Sequence, residues 1–154
     1  MIKKIDDVIN KLKFFDLMIV TVFCNLLFSS IASFTSNLLT GNPLNNGVKG
    51  FLNCKEEFIL VVIVAPILET LIFQYLIINF FLTKTKSFYA CVISSLIFAL
   101  QHMYNLFYFV LTLFVGLIFA YLYVIGKKRN YGFILVAVTH SLYNLIVFIL
   151  KTIS

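Results

Sequence analysis

The chain has 154 residues, 62% of them apolar and only 12% charged, with a formal net charge of +6. A soluble domain carries about 45–50% apolar and about 25% charged residues, so these charges are too few to cover the apolar surface in water. The length suits one domain rather than two, and the composition suits a domain whose apolar surface is covered by lipid.

In chain order, residues 1–13 read as a short amphipathic cytoplasmic arm, with Ile2, Ile5, Val8, Ile9 and Leu12 on one side and lysines on the other, the pattern of a segment lying on a membrane surface. Residues 14–154 read as a single transmembrane domain. Its apolar residues fall into five blocks: Phe14 to Phe34, Phe58 to Leu82, Phe88 to about Met103, Leu106 to Ile125, and Gly132 to Leu150. A spanning helix needs about 20 residues, with a range of about 17–25; four blocks meet this and the third is marginal. Only helices and closed barrels cross a bilayer, and the blocks are too long and uniform for barrel strands. The expected fold is therefore all-α, a polytopic membrane helical bundle of about five transmembrane helices. Block one is too long for a signal peptide's apolar region and Ile31-Ala32-Ser33 is a poor cleavage site, so it reads as a retained helix. Pro43 sits in the turn-rich stretch from Gly41 to Gly47, whereas Pro66, inside block two, is expected to kink its helix. Cys24, Cys54 and Cys91 have neither zinc spacing nor a paired motif and read as small apolar packing residues.

The basic residues set an orientation. With the N-terminus inside, nine are cytoplasmic (Lys3, Lys4, Lys11, Lys13, Lys84, Lys86, Lys127, Lys128 and Arg129) and three are outside (Lys49, Lys55 and Lys151), as the positive-inside rule requires. Topology thus accounts for the net charge, and no nucleic-acid partner is expected.

Five of the six acidic residues lie in the arm, at a block edge or in a loop; only Glu69 lies deep in an apolar block. A charge there costs about 2.5–3.5 kcal/mol on insertion scales, which makes an intramembrane carboxylate a functional residue by default. The chain's two histidines, His102 and His140, fall in two further blocks. A Glu with two His can hold and deprotonate water as a general base. The same trio, Glu69, His102 and His140, could instead hold zinc with an open fourth position; both arrangements point to hydrolysis. Asn144 follows His140 by four positions and shares its helical face, where its amide can donate to a developing oxyanion. Phe98 precedes His102 by four and can pack on it. Gln74 follows Glu69 by five, within reach of a neighbouring helix. Tyr104 and Tyr108 read as interfacial aromatics. By helical rise alone, Glu69 lies near mid-bilayer, His102 near the outer edge and His140 about 12 Å from the inner end of its block, so the three are expected at different depths.

These residues resemble a family. The stretches Glu69-Thr70-Leu71-Ile72-Phe73-Gln74, Phe98-Ala99-Leu100-Gln101-His102 and His140-Ser141-Leu142-Tyr143-Asn144 are similar, in that order, to the Glu-Glu-x-x-x-Arg, Phe-x-x-x-His and His-x-x-x-Asn/Asp motifs of CPBP-family intramembrane proteases. That group includes CAAX prenyl endopeptidases and bacteriocin-processing or self-immunity (Abi) proteins. The resemblance covers about Ala65 to Leu145. It implies a bacterial cell-membrane endopeptidase in which Glu69 is the catalytic glutamate, His102 helps activate water, and His140 and Asn144 complete the water and oxyanion sites. Thr70, Gln74 and Phe98 would support them. Thr70 and Gln74 replace the motif's second Glu and its Arg. No cofactor is expected, with zinc as the alternative; the likeness to the CAAX endopeptidases favours a metal-free glutamate mechanism. The implied partners are a peptide or membrane-protein substrate and the bilayer. The competing readings are a non-catalytic membrane immunity or partner-binding protein with a degenerate site, and a small transporter or proton-relay subunit. The latter is disfavoured by the lack of an inverted repeat.

Overall fold

The computed structural model describes Ile9, residues 11–41, Leu44 and residues 53–153. Most of the N-terminal arm and the turn around Pro43 lie outside the described residues. Among the described residues there is no strand, and the spans are α1 (Phe14–Thr40), α2 (Cys54–Leu82), α3 (Ser87–Gln101), α4 (Leu106–Lys127) and α5 (Gly132–Ile153). All but α3 are long and apolar enough to cross a membrane. At 15 residues, α3 extends only about 22 Å at 1.5 Å per residue. Its last residue, Gln101, and the residues of the turn that follows, Met103 to Asn105, are exposed.

The helix ends follow local chemistry. Asn53 and Glu56 form a reciprocal cap at the start of α2, each accepting the other's backbone N–H at 3.0 Å. Asn105 caps α4 through Tyr108 N–H at 2.8 Å. Gly41, at φ 68°, closes α1 in the left-handed conformation that glycine adopts without a Cβ penalty. α1 outruns its apolar block by reaching Thr40, because Thr35 and Thr40 turn their hydroxyls back onto the carbonyls of Ile31 (2.8 Å) and Ser36 (2.7 Å). Such back-bonding hides polar groups inside an apolar helix.

α4 is the centre of the bundle, packed against α1, α3 and α5, with Leu111, Val115, Phe119, Leu122 and Tyr123 in the core. Small residues set the close approaches, as is common between membrane helices. A Cβ on Gly116 would stand 3.0 Å from the Phe98 ring of α3, and one on Gly132 would stand 2.8 Å from the backbone of Lys127 and Tyr123. The outward faces, including Phe15, Phe23, Phe34 and Leu38 of α1, are apolar and exposed, as lipid contact demands. Of the cysteines, Cys91 is buried in the core and Cys24 half-buried, whereas Cys54 is exposed in the first turn of α2.

α2 departs most from an ideal helix. Pro66 lies between two π-helical stretches, Ile59–Val64 and Thr70–Ile77, so the expected disruption takes the form of widened turns. Five of its six buried residues, Val62, Pro66, Thr70, Gln74 and Ile78, recur at every fourth position, and Phe73 is the sixth. In an α-helix of 3.6 residues per turn such a row drifts by about 40° at each step; the wider turns take up that drift and keep the row facing the bundle.

Candidate active site

Glu69 lies between the two π-helical stretches of α2, the kind of position where such bulges frequently serve function. Its carboxylate reaches both histidines: Oε1 is 3.7 Å from His102 Nε2, and Oε2 is 3.6 Å from His140 Nε2. The expectation of different depths is thus corrected. His102 follows directly on the short α3 and turns its ring toward Glu69. α5 begins beside the last turns of α2, around Tyr75, Asn79 and Thr83, and carries His140 to Glu69.

His102 follows the last residue of α3, and its ring Nδ1 is 2.8 Å from the Phe98 carbonyl. A carbonyl only accepts, so Nδ1 carries the hydrogen and Nε2 is turned to Glu69. Phe98 also packs on this ring, with centroids 4.5 Å apart, as its spacing in the sequence suggests. His140 is almost fully buried, between Phe119 at 4.6 Å and Phe98 at 6.3 Å between centroids. Gly116 gives Phe98 the room to sit there.

Asn144 donates from Nδ2 to the carbonyl of Val61 at 2.9 Å. This bond has a backbone cause. In the first π-helical stretch the N–H of Ala65 goes to Leu60 O, so Val61 O loses its α-helical donor. The next candidate is residue 66, a proline without an N–H. Asn144 fills the gap from the neighbouring helix, as freed backbone groups in membrane helices require. In the second stretch Ser94 of α3 likewise donates to a backbone carbonyl of α2, Phe73 O, at 2.8 Å.

The carboxylate, both imidazoles and Asn144 line a cavity of about 230 Å³ with Val61, Tyr104 and Tyr108. Tyr104 and Tyr108, read from sequence as interfacial aromatics, stand with ring centroids 6.3 Å from that of His102. Tyr143 also borders the cavity and is hydrogen-bonded to Ser29 of α1; its place beside Asn144 was the one sequence signal for it. Thr70 and Gln74 are not brought to the cavity. They lie in the buried row of α2, and neither side chain has a hydrogen-bond partner among the described residues. A larger cavity, about 760 Å³, lies at the other end of the bundle beside Tyr75, Asn79, Tyr123 and Lys127 and is lined by no carboxylate or histidine.

Zinc would need its ligand atoms about 2.0–2.2 Å from one point. Among the described residues no group of three or more His, Cys, Asp and Glu side chains is gathered to hold a metal ion.

No curated protein and no solved structure matches the chain. The family model described as type II CAAX prenyl endopeptidase, Rce1-like, matches residues 56–146, more than half of the chain and all three stretches that hold Glu69, His102, His140 and Asn144. With an all-helical, membrane-spanning bundle on the same residues, the chain belongs to the Rce1-like family of type II CAAX prenyl endopeptidases, a family of intramembrane proteases.

Proposed function

We propose that the chain is a glutamate-type intramembrane endopeptidase, with Glu69 as the base that activates water. The observation that carries this reading is the placement of the one deep carboxylate between the chain's two histidines, 3.6 and 3.7 Å away. Both separations exceed a direct hydrogen bond of about 2.7–3.2 Å, so a water oxygen can bridge the carboxylate and an imidazole. Glu69 takes a proton from that water while His102 Nε2 accepts its second hydrogen. The oxygen attacks the peptide carbonyl carbon, and the C=O electron pair moves onto oxygen. Asn144 has one N–H committed to Val61 and a second free to donate to this oxyanion, with His140 beside it. The C–N bond then breaks as the leaving amine takes the proton from Glu69, the second water hydrogen passes through His102 Nε2 to the amine, and a carboxylate and an ammonium are released. No step is routed through a metal.

Substrates in this reading are peptides or membrane-protein segments, as in CAAX-type processing, bacteriocin maturation or self-immunity. The location is a bacterial cell membrane with the N-terminus cytoplasmic. The test compares wild type with Glu69→Gln and Glu69→Ala in a membrane cleavage assay. Removing a positioned base costs about 10²–10⁴-fold, so both variants should be inactive while still folded and inserted. Wild-type activity in either would sink the reading. The second reading, a non-catalytic immunity or partner-binding protein, draws on Thr70 and Gln74 in place of the motif's charged pair; it is favoured if Glu69→Gln keeps immunity intact.

A further inference from the structure

The large cavity away from Glu69, about 760 Å³, forms where the last turns of α2, the end of α4 and the start of α5 meet. The turn through Asn130, at φ 62°, folds α5 back against α4. Gly132 lets the two come so close that a Cβ there would stand 2.8 Å from the backbone of Tyr123 and Lys127. Lys127, Tyr123 and the first turn of α5 therefore line one space.

The hydrogen-bond directions in it are fixed by the charge. An ammonium only donates, so Lys127 meets the Asn79 side-chain oxygen. Asn79 then turns Nδ2 to the Tyr123 hydroxyl at 2.7 Å. That hydroxyl oxygen accepts, which leaves its own hydrogen to be donated elsewhere. Tyr123 is only 2% exposed and lines the cavity, yet this hydrogen has no acceptor among the described residues. Tyr131 keeps its own hydrogen in the same way, because its hydroxyl accepts from Arg129 at 3.0 Å. Lys127 has further N–H groups to give, and the first N–H groups of α5 have no acceptor in their own helix and carry its positive end. No carboxylate lines the cavity to answer these donors, and Lys84, Lys86, Lys128 and Arg129 add positive charge at the same end of the bundle. On the outer side, Leu76 and Ile134 of the lining are 53% and 58% exposed, as residues facing lipid are.

We propose that this cavity is a site for one anionic phospholipid, its phosphate held by Lys127, the Tyr123 hydroxyl and the first turn of α5, and its acyl chains lying over Leu76 and Ile134. Donors alone, beside a cation, match phosphate oxygens, and basic pockets between spanning helices take such headgroups. The apolar rim selects a lipid over a free phosphate. The bound headgroup ties the end of α2 to the start of α5, the two helices that carry Glu69 and His140.

The full chain, purified in a neutral detergent, is unfolded thermally with phosphatidylglycerol, phosphatidylcholine or inorganic phosphate, and retained lipid is counted by native mass spectrometry. Phosphatidylglycerol at about 100-fold its Kd should raise Tm by about 5–10 °C and remain bound as one molecule per chain. Phosphatidylcholine should do neither. Lys127→Gln keeps a donor for Asn79 but removes the charge, and should lose both the retained lipid and most of the shift, whereas Lys127→Arg should keep them. Lys86→Gln, at the same end but outside the lining, should behave as wild type. The same shift from inorganic phosphate assigns a free-anion site and overturns the lipid. Equal retention of the two lipids by wild type, undiminished retention in Lys127→Gln, or equal losses in Lys127→Gln and Lys86→Gln overturn the site. If Lys127→Gln does not fold, the wild-type comparison of the two lipids still decides.

Discussion

The hydrogen bond from Asn144 to Val61 makes a prediction in which two roles of one side chain separate. Asn144→Ala leaves the Val61 carbonyl without a donor from Ala65, which serves Leu60, or from Pro66, which has none. An unsatisfied buried acceptor costs about 1–3 kcal/mol, but hydrogen bonds between membrane helices average about 0.6 kcal/mol and reach about 1.7. A loss of about 1–1.5 kcal/mol is therefore expected, or about 2–6 °C in Tm for a chain of this size. Pro66→Ala restores an amide N–H five residues beyond Val61. In that background Asn144→Ala should cost half as much or less, a coupling of about 0.5–1 kcal/mol, within the range for residues that share a network. Catalysis should behave otherwise. If Asn144 also donates to the oxyanion, its removal lowers kcat by about 10²–10³ in both backgrounds. Thermal unfolding in detergent and cleavage kinetics on the four proteins of the cycle give both readouts. Equal destabilisation by Asn144→Ala with and without Pro66 would refute the backbone argument, whatever the kinetics show.

Three further outcomes are expected. Gly116→Ala puts a Cβ 3.0 Å from the Phe98 ring and 3.3 Å from Ser95 Cα; overpacking of this kind costs about 1–3 kcal/mol. Because Phe98 holds His102, kcat should fall with stability, and a drop in Tm alone would show that the ring yields without disturbing the histidine. Tyr143→Phe removes the hydrogen bond to Ser29 that ties α5 to α1; a loss of about 0.5–1.5 kcal/mol with Glu69 chemistry intact is expected from paired unfolding and turnover measurements. A strong zinc chelator should leave turnover unchanged, and loss of activity restored by added zinc would overturn the metal-free reading.

Block boundaries were legible wherever apolar residues met turn or charge. α4 starts at Leu106 and α5 at Gly132, as the pattern gives them. The end of α1 was not, because Thr35, Ser36 and Asn37 lower the apolar pattern while the hydroxyl of Thr35 folds back onto its own helix. Glu69, His102 and His140 were legible as a set because each is a rare ionisable residue among apolar neighbours. Their convergence was not, because equal rise per residue and full-length spans place them at different depths. In the bundle α3 stops at Gln101 and α5 starts beside the last turns of α2. Pro66 signalled a disruption in α2, but nothing local said that Asn144 would supply the missing donor from a helix more than seventy residues away.

The departures from the family motif bear on whether the site is degenerate. Glu and Arg at positions 70 and 74 would form a charged pair one turn apart. Here those positions are Thr70 and Gln74, at 0% and 1% exposure, in the row of α2 that faces the core. Neither residue lines the cavity. An ion pair buried there would carry a desolvation penalty of several kcal/mol per ion, offset only by good geometry, and keeping one charge without the other would cost about 3–5 kcal/mol. Losing both charges together avoids that outcome and leaves two neutral groups, which are cheaper to bury. The double change therefore alters the packing behind Glu69 while leaving the carboxylate, both imidazoles and the Asn144 amide around the cavity. Those four groups, and the donors on α5 and α3 that meet the α2 carbonyls of Val61 and Phe73, are in place without the charged pair. On this argument Glu69→Gln should abolish cleavage while restoring the charges, through Thr70→Glu with Gln74→Arg, should change stability more than turnover.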